Sequence, residues 1–89
     1  MTTMFARHTV ADYKAWRRAY DGFAPLQKAK GVTAQAVYQA ADNPNDVTVT
    51  HDFATLEAAQ SFVGSEELKR AMQSAGVVGA PTIWFTNKV

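Results

Sequence analysis

The 89-residue sequence contains no cysteine. That absence removes disulfide cross-links, thiolate zinc sites and cysteine nucleophiles at once, and it fits a reducing, cytoplasmic setting. An excess of charge is also missing. Nine Lys and Arg against eight Asp and Glu leave a formal +1, too little for an electrostatic claim on nucleic acid or an anionic membrane. No apolar run approaches bilayer length, and Met1-Thr2-Thr3-Met4-Phe5 lacks the basic and apolar regions of a secretory signal. Phosphate loops, nucleophile elbows, zinc-protease helices and dinucleotide fingerprints are all absent. Histidine is scarce, with only His8 and His51. Two imidazoles are too few for structural zinc, and Asp52 points to the opposite side of an extended strand from His51. The expectation is one soluble cytoplasmic domain spanning residues 1–89, with no metal, no cofactor, and neither nucleic acid nor membrane as partner.

What the chain does contain is an ordered succession of patterns. Met4 to Val10 reads as a strand with Met4, Ala6, His8 and Val10 on one parity and Phe5, Arg7 and Thr9 on the other. Asp12 supplies a helix N-cap. Tyr13, Trp16, Tyr20 and Phe23 then recur at helical spacing and form one aromatic stripe. Pro25 requires a kink or restart near Gly22 and Phe23, and Gly31 is placed to end the helix. Val32 to Ala40 reads as a second strand. Asp42-Asn43-Pro44-Asn45-Asp46 concentrates turn signals. Val47 to Phe53 is a third strand, where Val47, Val49, His51 and Phe53 alternate with Thr48, Thr50 and Asp52. Thr55 and Ser65 cap two further helical pieces interrupted at Gly64. Leu56, Ala59, Phe62 and Val63 form the apolar stripe of one, and Leu68, Ala71, Met72 and Ala75 that of the other. Gly76 ends the second piece, and Gly79-Ala80-Pro81 leads into a last strand over Thr82 to Thr86.

This order predicts an α+β fold, a ferredoxin-like βαββαβ sandwich. Its antiparallel four-stranded sheet has the first and third strands in the middle and helices on one face. Phe5, Val37, Ile83 and Phe85, mixed with Thr48, Thr50 and Gln35, are expected on the uncovered face. A second copy of the chain is the expected cover, giving a homodimer. The candidate chemistry is compact. His8 and His51 sit on strands expected to be neighbours and are the candidate catalytic residues. Tyr13, Trp16, Tyr20, Phe53 and Trp84 are the candidate ligand-binding residues. An aromatic-walled cavity with groups titrating near neutrality suits a flat organic molecule and proton transfer on it. Each histidine could equally be a strand residue bonded to a neighbour, and the aromatic stripe could be core packing. His51 stands out because it interrupts the apolar row Val47, Val49, Phe53, where a Val or Ile would pack without polar atoms to satisfy.

Four segments carry a wider resemblance: Arg7-His8-Thr9-Val10-Ala11-Asp12-Tyr13-Lys14-Ala15-Trp16, Asp52-Phe53-Ala54-Thr55-Leu56-Glu57-Ala58-Ala59, Ser65-Glu66-Glu67-Leu68-Lys69-Arg70-Ala71-Met72 and Gly76-Val77-Val78-Gly79-Ala80-Pro81. Through them the chain resembles the dimeric α/β-barrel superfamily, in particular small antibiotic-biosynthesis-monooxygenase-like proteins. The resemblance implies a homodimer with facing sheets and a ligand cavity between sheet and helices in each subunit. It further implies a cofactor-free monooxygenase- or cyclase-like enzyme acting on a flat aromatic, polyketide-type substrate; the alternative reading is a non-catalytic ligand-binding or stress-associated homodimer. The Asn, His and Trp set of the haem-degrading branch has no match here. Fold kinship by itself assigns no activity.

Overall fold

A computed structural model describes all 89 residues. Its elements are β1 (Thr2–Val10), α1 (Tyr13–Gly22), α2 (Ala24–Ala29), β2 (Ala34–Ala40), β3 (Asn43–Phe53), α3 (Leu56–Val63), α4 (Glu66–Ser74) and β4 (Val77–Asn87). The four strands form one sheet in the order β2-β3-β1-β4, with every neighbouring pair antiparallel. This is the expected ferredoxin-like βαββαβ architecture.

Local chemistry accounts for the breaks. The Ala15 amide donates to the Asp12 carboxylate at 3.2 Å and starts α1. Pro25 lies in the first turn of α2, where its missing N–H is harmless, so the helical stretch divides at Phe23. The Ala58 amide donates to Thr55 Oγ1 and the Leu68 amide to Ser65 Oγ, which starts α3 and α4. Gly31 ends α2 at φ +97°, a conformation open to glycine at little cost.

Two turn assignments differ from expectation. Ala41 and Asp42 alone make the β2–β3 turn, while Asn43-Pro44-Asn45-Asp46 belongs to β3. There the register passes from Gln39↔Val47 to Ala40↔Asn43, so β2 advances one residue while β3 advances four. The turn-forming residues are used in this bulge, where Asn43 Oδ1 accepts from the Asn45 amide at 3.0 Å. Gly79-Ala80-Pro81 likewise lies inside β4, at the irregularity between Arg7↔Thr82 and Thr9↔Val78. Gly79 absorbs it at φ +74°.

Met4, Ala6, His8 and Val10 of β1 and Val47, Val49, His51 and Phe53 of β3 face the helices and are buried. Trp16 and Tyr20 of α1, with Ala59 and Phe62 of α3, close over them. Leu56, expected in that stripe, is the first residue of α3 and stays 41% exposed. The uncovered face also departs from expectation. Val37 pairs with Val49, Gln35 with His51, Ile83 with Ala6 and Phe85 with Met4, so all four share the helix face. Both parities of β2 and β4 carry apolar residues, and alternation there does not declare a face. The open face instead reads Ala36, Thr50, Phe5, Trp84 across the sheet. Phe5 and Trp84 stack with centroids 5.2 Å apart, Arg7 and Asp46 pair at 2.6 Å, and Tyr38 lies exposed beyond them.

Phe53 has no exposed surface, so Phe53→Ala should lower unfolding free energy by about 3–5 kcal/mol. Asp12→Ala, which removes only a cap, should lower it by about 1 kcal/mol. Urea titrations of the two variants check that ordering.

Candidate functional site

Between the sheet and the broken helices lies a narrow cavity of about 50 Å³. Its floor comes from β1 and β3 through Met4, Ala6, His8, Val49 and His51. Trp16 and Tyr20 form one wall, Phe62 and Ala71 another, and Leu26, Gln27, Leu68 and Met72 stand toward α2 and α4. Its lining is mostly apolar with a few polar groups, the composition that small-molecule sites use.

His8 and His51 occupy the same face because each has even spacing from the buried residues of its strand. Met4 pairs with His51 and His8 with Val47, so the histidines are offset by four residues. Strand geometry therefore separates their Cα atoms by roughly 13 Å along the strand direction. Trp16 and Tyr20 bridge this interval. Trp16 lies 5.6 Å from the His8 ring and stacks on Tyr20 at 4.8 Å, and Tyr20 lies 6.0 Å from the His51 ring.

The two imidazoles have different partners. His51 Nε2 is 2.7 Å from the Tyr20 hydroxyl, and that hydroxyl donates to Gln35 Oε1. His51 Nδ1 and both ring nitrogens of His8 are buried with no hydrogen-bond partner in the protein. Burial pushes His51 from 6.5 down to about 4, with Asp52 pulling weakly the other way. Burial also lowers His8, opposed by Asp46, and raises the Tyr20 phenol to about 12. At neutral pH the cavity thus holds two neutral imidazoles and a neutral phenol. No group of three or more His, Cys, Asp or Glu is arranged to hold a metal ion.

Of the residues singled out from sequence, the structure brings His8, His51, Trp16 and Tyr20 into one lining. Phe53 lies beneath, packed on Phe62 with centroids 5.5 Å apart. Tyr13 flanks Trp16 at 5.9 Å without lining the cavity. Trp84 is on the opposite side of the sheet, against Phe5 and 40% exposed, so it takes no part in this lining. His8 proves to interrupt an apolar row as His51 does, since Arg7 and Thr9 belong to the other parity. Gln35, Gln27 and Phe62 were missed as site residues. For Gln35 the available signal was its register position beside His51.

His51→Val should retain the fold, because the Tyr20 hydroxyl keeps Gln35 as its partner. The unfolded imidazole takes a proton near pH 6.5 and the folded one only near pH 4, so the unfolded state holds more protons between these values. Stability from this group is complete above the upper value and falls as pH drops through the window, by about 3 kcal/mol in all. Denaturant titrations from pH 7 to pH 4 should show a markedly shallower decline in His51→Val than in the wild type; identical slopes would contradict the assignment.

No protein-family model matches the chain, and no curated protein is significantly similar to it. Solved structures do share its fold. A candidate antibiotic biosynthesis monooxygenase from Bordetella bronchiseptica superposes with a TM-score of 0.85 at 17% identity, covering 99% of this chain and 96% of its own. SnoaB, a cofactor-independent oxygenase from Streptomyces nogalater, gives 0.75 at 11% identity, covering 99% and 94% respectively. Rv0793 from Mycobacterium tuberculosis gives 0.73 at 15% identity, with coverages of 99% and 94%. At these identities the likeness speaks for architecture. The chain has the ferredoxin-like fold of antibiotic-biosynthesis-monooxygenase-like proteins.

Proposed function

We propose that the chain binds a flat, hydroxylated aromatic molecule and oxidises it with molecular oxygen, without a cofactor. The carrying observation is the three unpartnered imidazole nitrogens in an apolar, aromatic-walled cavity. An unmet buried polar atom costs about 1–3 kcal/mol, and ligand hydroxyls at the two ends of the cavity would offset that cost. The rings of Trp16 and Tyr20 supply stacking between those ends. The fold shared with a cofactor-independent oxygenase agrees with this reading.

In such a reaction the substrate gives up its hydroxyl proton and becomes electron-rich enough to react with oxygen. One oxygen atom enters at a ring CH (the methylene of the keto tautomer), which becomes a carbonyl, and the other leaves as water with the ring hydrogen and the hydroxyl proton. The substrate supplies all the electrons. His8 is the better proton acceptor, because burial lowers its proton affinity less than that of His51, which is pushed down to about 4. His51 orients the ligand, with Tyr20 fixing one of its nitrogens. Trp16 and Phe62 help keep the site dry, which destabilises a charged imidazolium but leaves the oxygen-reactive anion poorly solvated.

A second reading, binding without turnover, is favoured by the burial of both imidazoles, which lowers the proton affinity of His8 as well as of His51. Both readings take the active form to be a homodimer in which the face bearing Phe5, Trp84 and Tyr38 meets its copy. The stacked pair and the exposed tyrosine support this assembly.

Anthrone and hydroxylated naphthalenes should raise the melting temperature, with anthrone consuming oxygen one-for-one as it becomes anthraquinone. His8→Ala should reduce oxygen uptake by about 100-fold, in the range for loss of a general base. Stabilisation without uptake selects the binding reading, and neither effect removes both. Sedimentation at micromolar concentration should give twice the 9.7 kDa chain mass, and Trp84→Lys should shift it toward the monomer.

A further inference from the structure

The Tyr20 hydroxyl has one proton, and it is committed. Gln35, paired across the sheet with His51, presents Oε1 to that hydroxyl and receives its hydrogen bond. The tyrosine oxygen can therefore meet His51 Nε2, 2.7 Å away, only as an acceptor. The proton between them must then lie on the imidazole, and a neutral ring protonated at Nε2 carries a bare lone pair at Nδ1. That Nδ1 is buried and has no partner in the protein, while the ring lines the cavity. Left to itself the pair would favour the reverse arrangement, because a phenol donates to imidazole more readily than it accepts from one. With its amide oxygen turned to that hydroxyl, Gln35 opposes the reverse arrangement.

We propose that Gln35 is a positioning residue: acting through Tyr20, it holds His51 as the Nε2–H tautomer, so that the cavity prefers ligands bringing a hydroxyl donor over the corresponding carbonyl compounds. The inference rests on the aromatic-ligand reading for its second half only. The first half is a property of the unliganded protein. In an oxidation that turns a donor group into a carbonyl, this polarity favours substrate over product, because the product brings a second acceptor to face the Nδ1 lone pair.

Long-range ¹⁵N–¹H spectra at neutral pH report the tautomer of each histidine directly. Wild-type His51 should be protonated at Nε2. Gln35→Glu, which still accepts, should leave it so. Gln35→Leu frees the Tyr20 proton for Nε2 and should move the imidazole proton to Nδ1. Gln35 lies on an outer strand and is exposed, so the fold does not hinge on it. On a Tyr20→Phe background, Gln35→Leu should leave the tautomer unchanged. Wild-type protonation at Nδ1, an unresponsive Gln35→Leu variant, or an equal effect without the tyrosine hydroxyl would each overturn the relay.

The ligand half is read with 1,4-dihydroxynaphthalene and 1,4-naphthoquinone under argon, a matched pair for a protein with no thiol for the quinone to alkylate. Wild type should bind the dihydroxy form about tenfold more tightly, the size of one hydrogen bond gained. Gln35→Leu should erase or invert that preference. Equal affinities in the wild type would overturn the selectivity. Failure of both compounds to bind, with the tautomers as stated, would overturn the ligand class while leaving the relay standing.

Discussion

The pairing of Met4 with His51 and His8 with Val47 is the constraint from which the rest of this structure follows. It aligns the buried parities of the two central strands, so both histidines face the helices. Slipping one strand by a single residue would exchange its faces, putting one imidazole in the open and Thr48, Thr50 and Asp52 against Trp16. The hydrophobic rows hold the register, and the histidines are carried to their places by it. Each costs packing where a Val would have served, and the register makes that cost coincide at one cavity.

The helical layer explains why a cavity exists at all. Neither crossover is a single straight helix. One divides at Phe23, ahead of Pro25, and the other at Gly64, ahead of the Ser65 cap. Ala71 of α4 and Ala75 at its C-cap are buried and line the cavity. These small residues leave space that Leu or Phe would occupy. The aromatics cluster instead at Trp16, Tyr20 and Phe62, giving the space rigid walls.

Most of the fold was legible in the sequence because its signals are local. Asp12, Thr55 and Ser65 act as caps, Pro25 as a restart and the alternation of β3 as a strand, each through a few neighbouring atoms. Legibility failed where two local signals pointed different ways. Asn43-Pro44-Asn45-Asp46 is rich in turn-formers, but pairing with β2 keeps it extended and turns the signal into a bulge. Trp84 and Phe85 are both aromatic on one short strand, so which of them faces the helices is decided by pairing with β1. The site divides in the same way. His51 was conspicuous within its own strand, whereas Gln35 acquires meaning only when β2 lies beside β3 and Tyr20 descends between them.

The polar content of the cavity has a chemical logic of its own. A carboxylate in this space would suffer the full penalty of burying charge, or else take up a proton and become a donor. An imidazole avoids both outcomes. Burial holds it neutral, with His51 pushed down to about 4, and a neutral ring still offers one donor and one acceptor. Which nitrogen plays which part is then left to the surroundings. At His51, Tyr20 and Gln35 make that choice. At His8 no protein group makes it, since both nitrogens lack partners. The two ends of the cavity are therefore chemically unequal despite carrying the same side chain: one has a fixed hydrogen-bond polarity, and the other can adapt to whatever group a ligand presents.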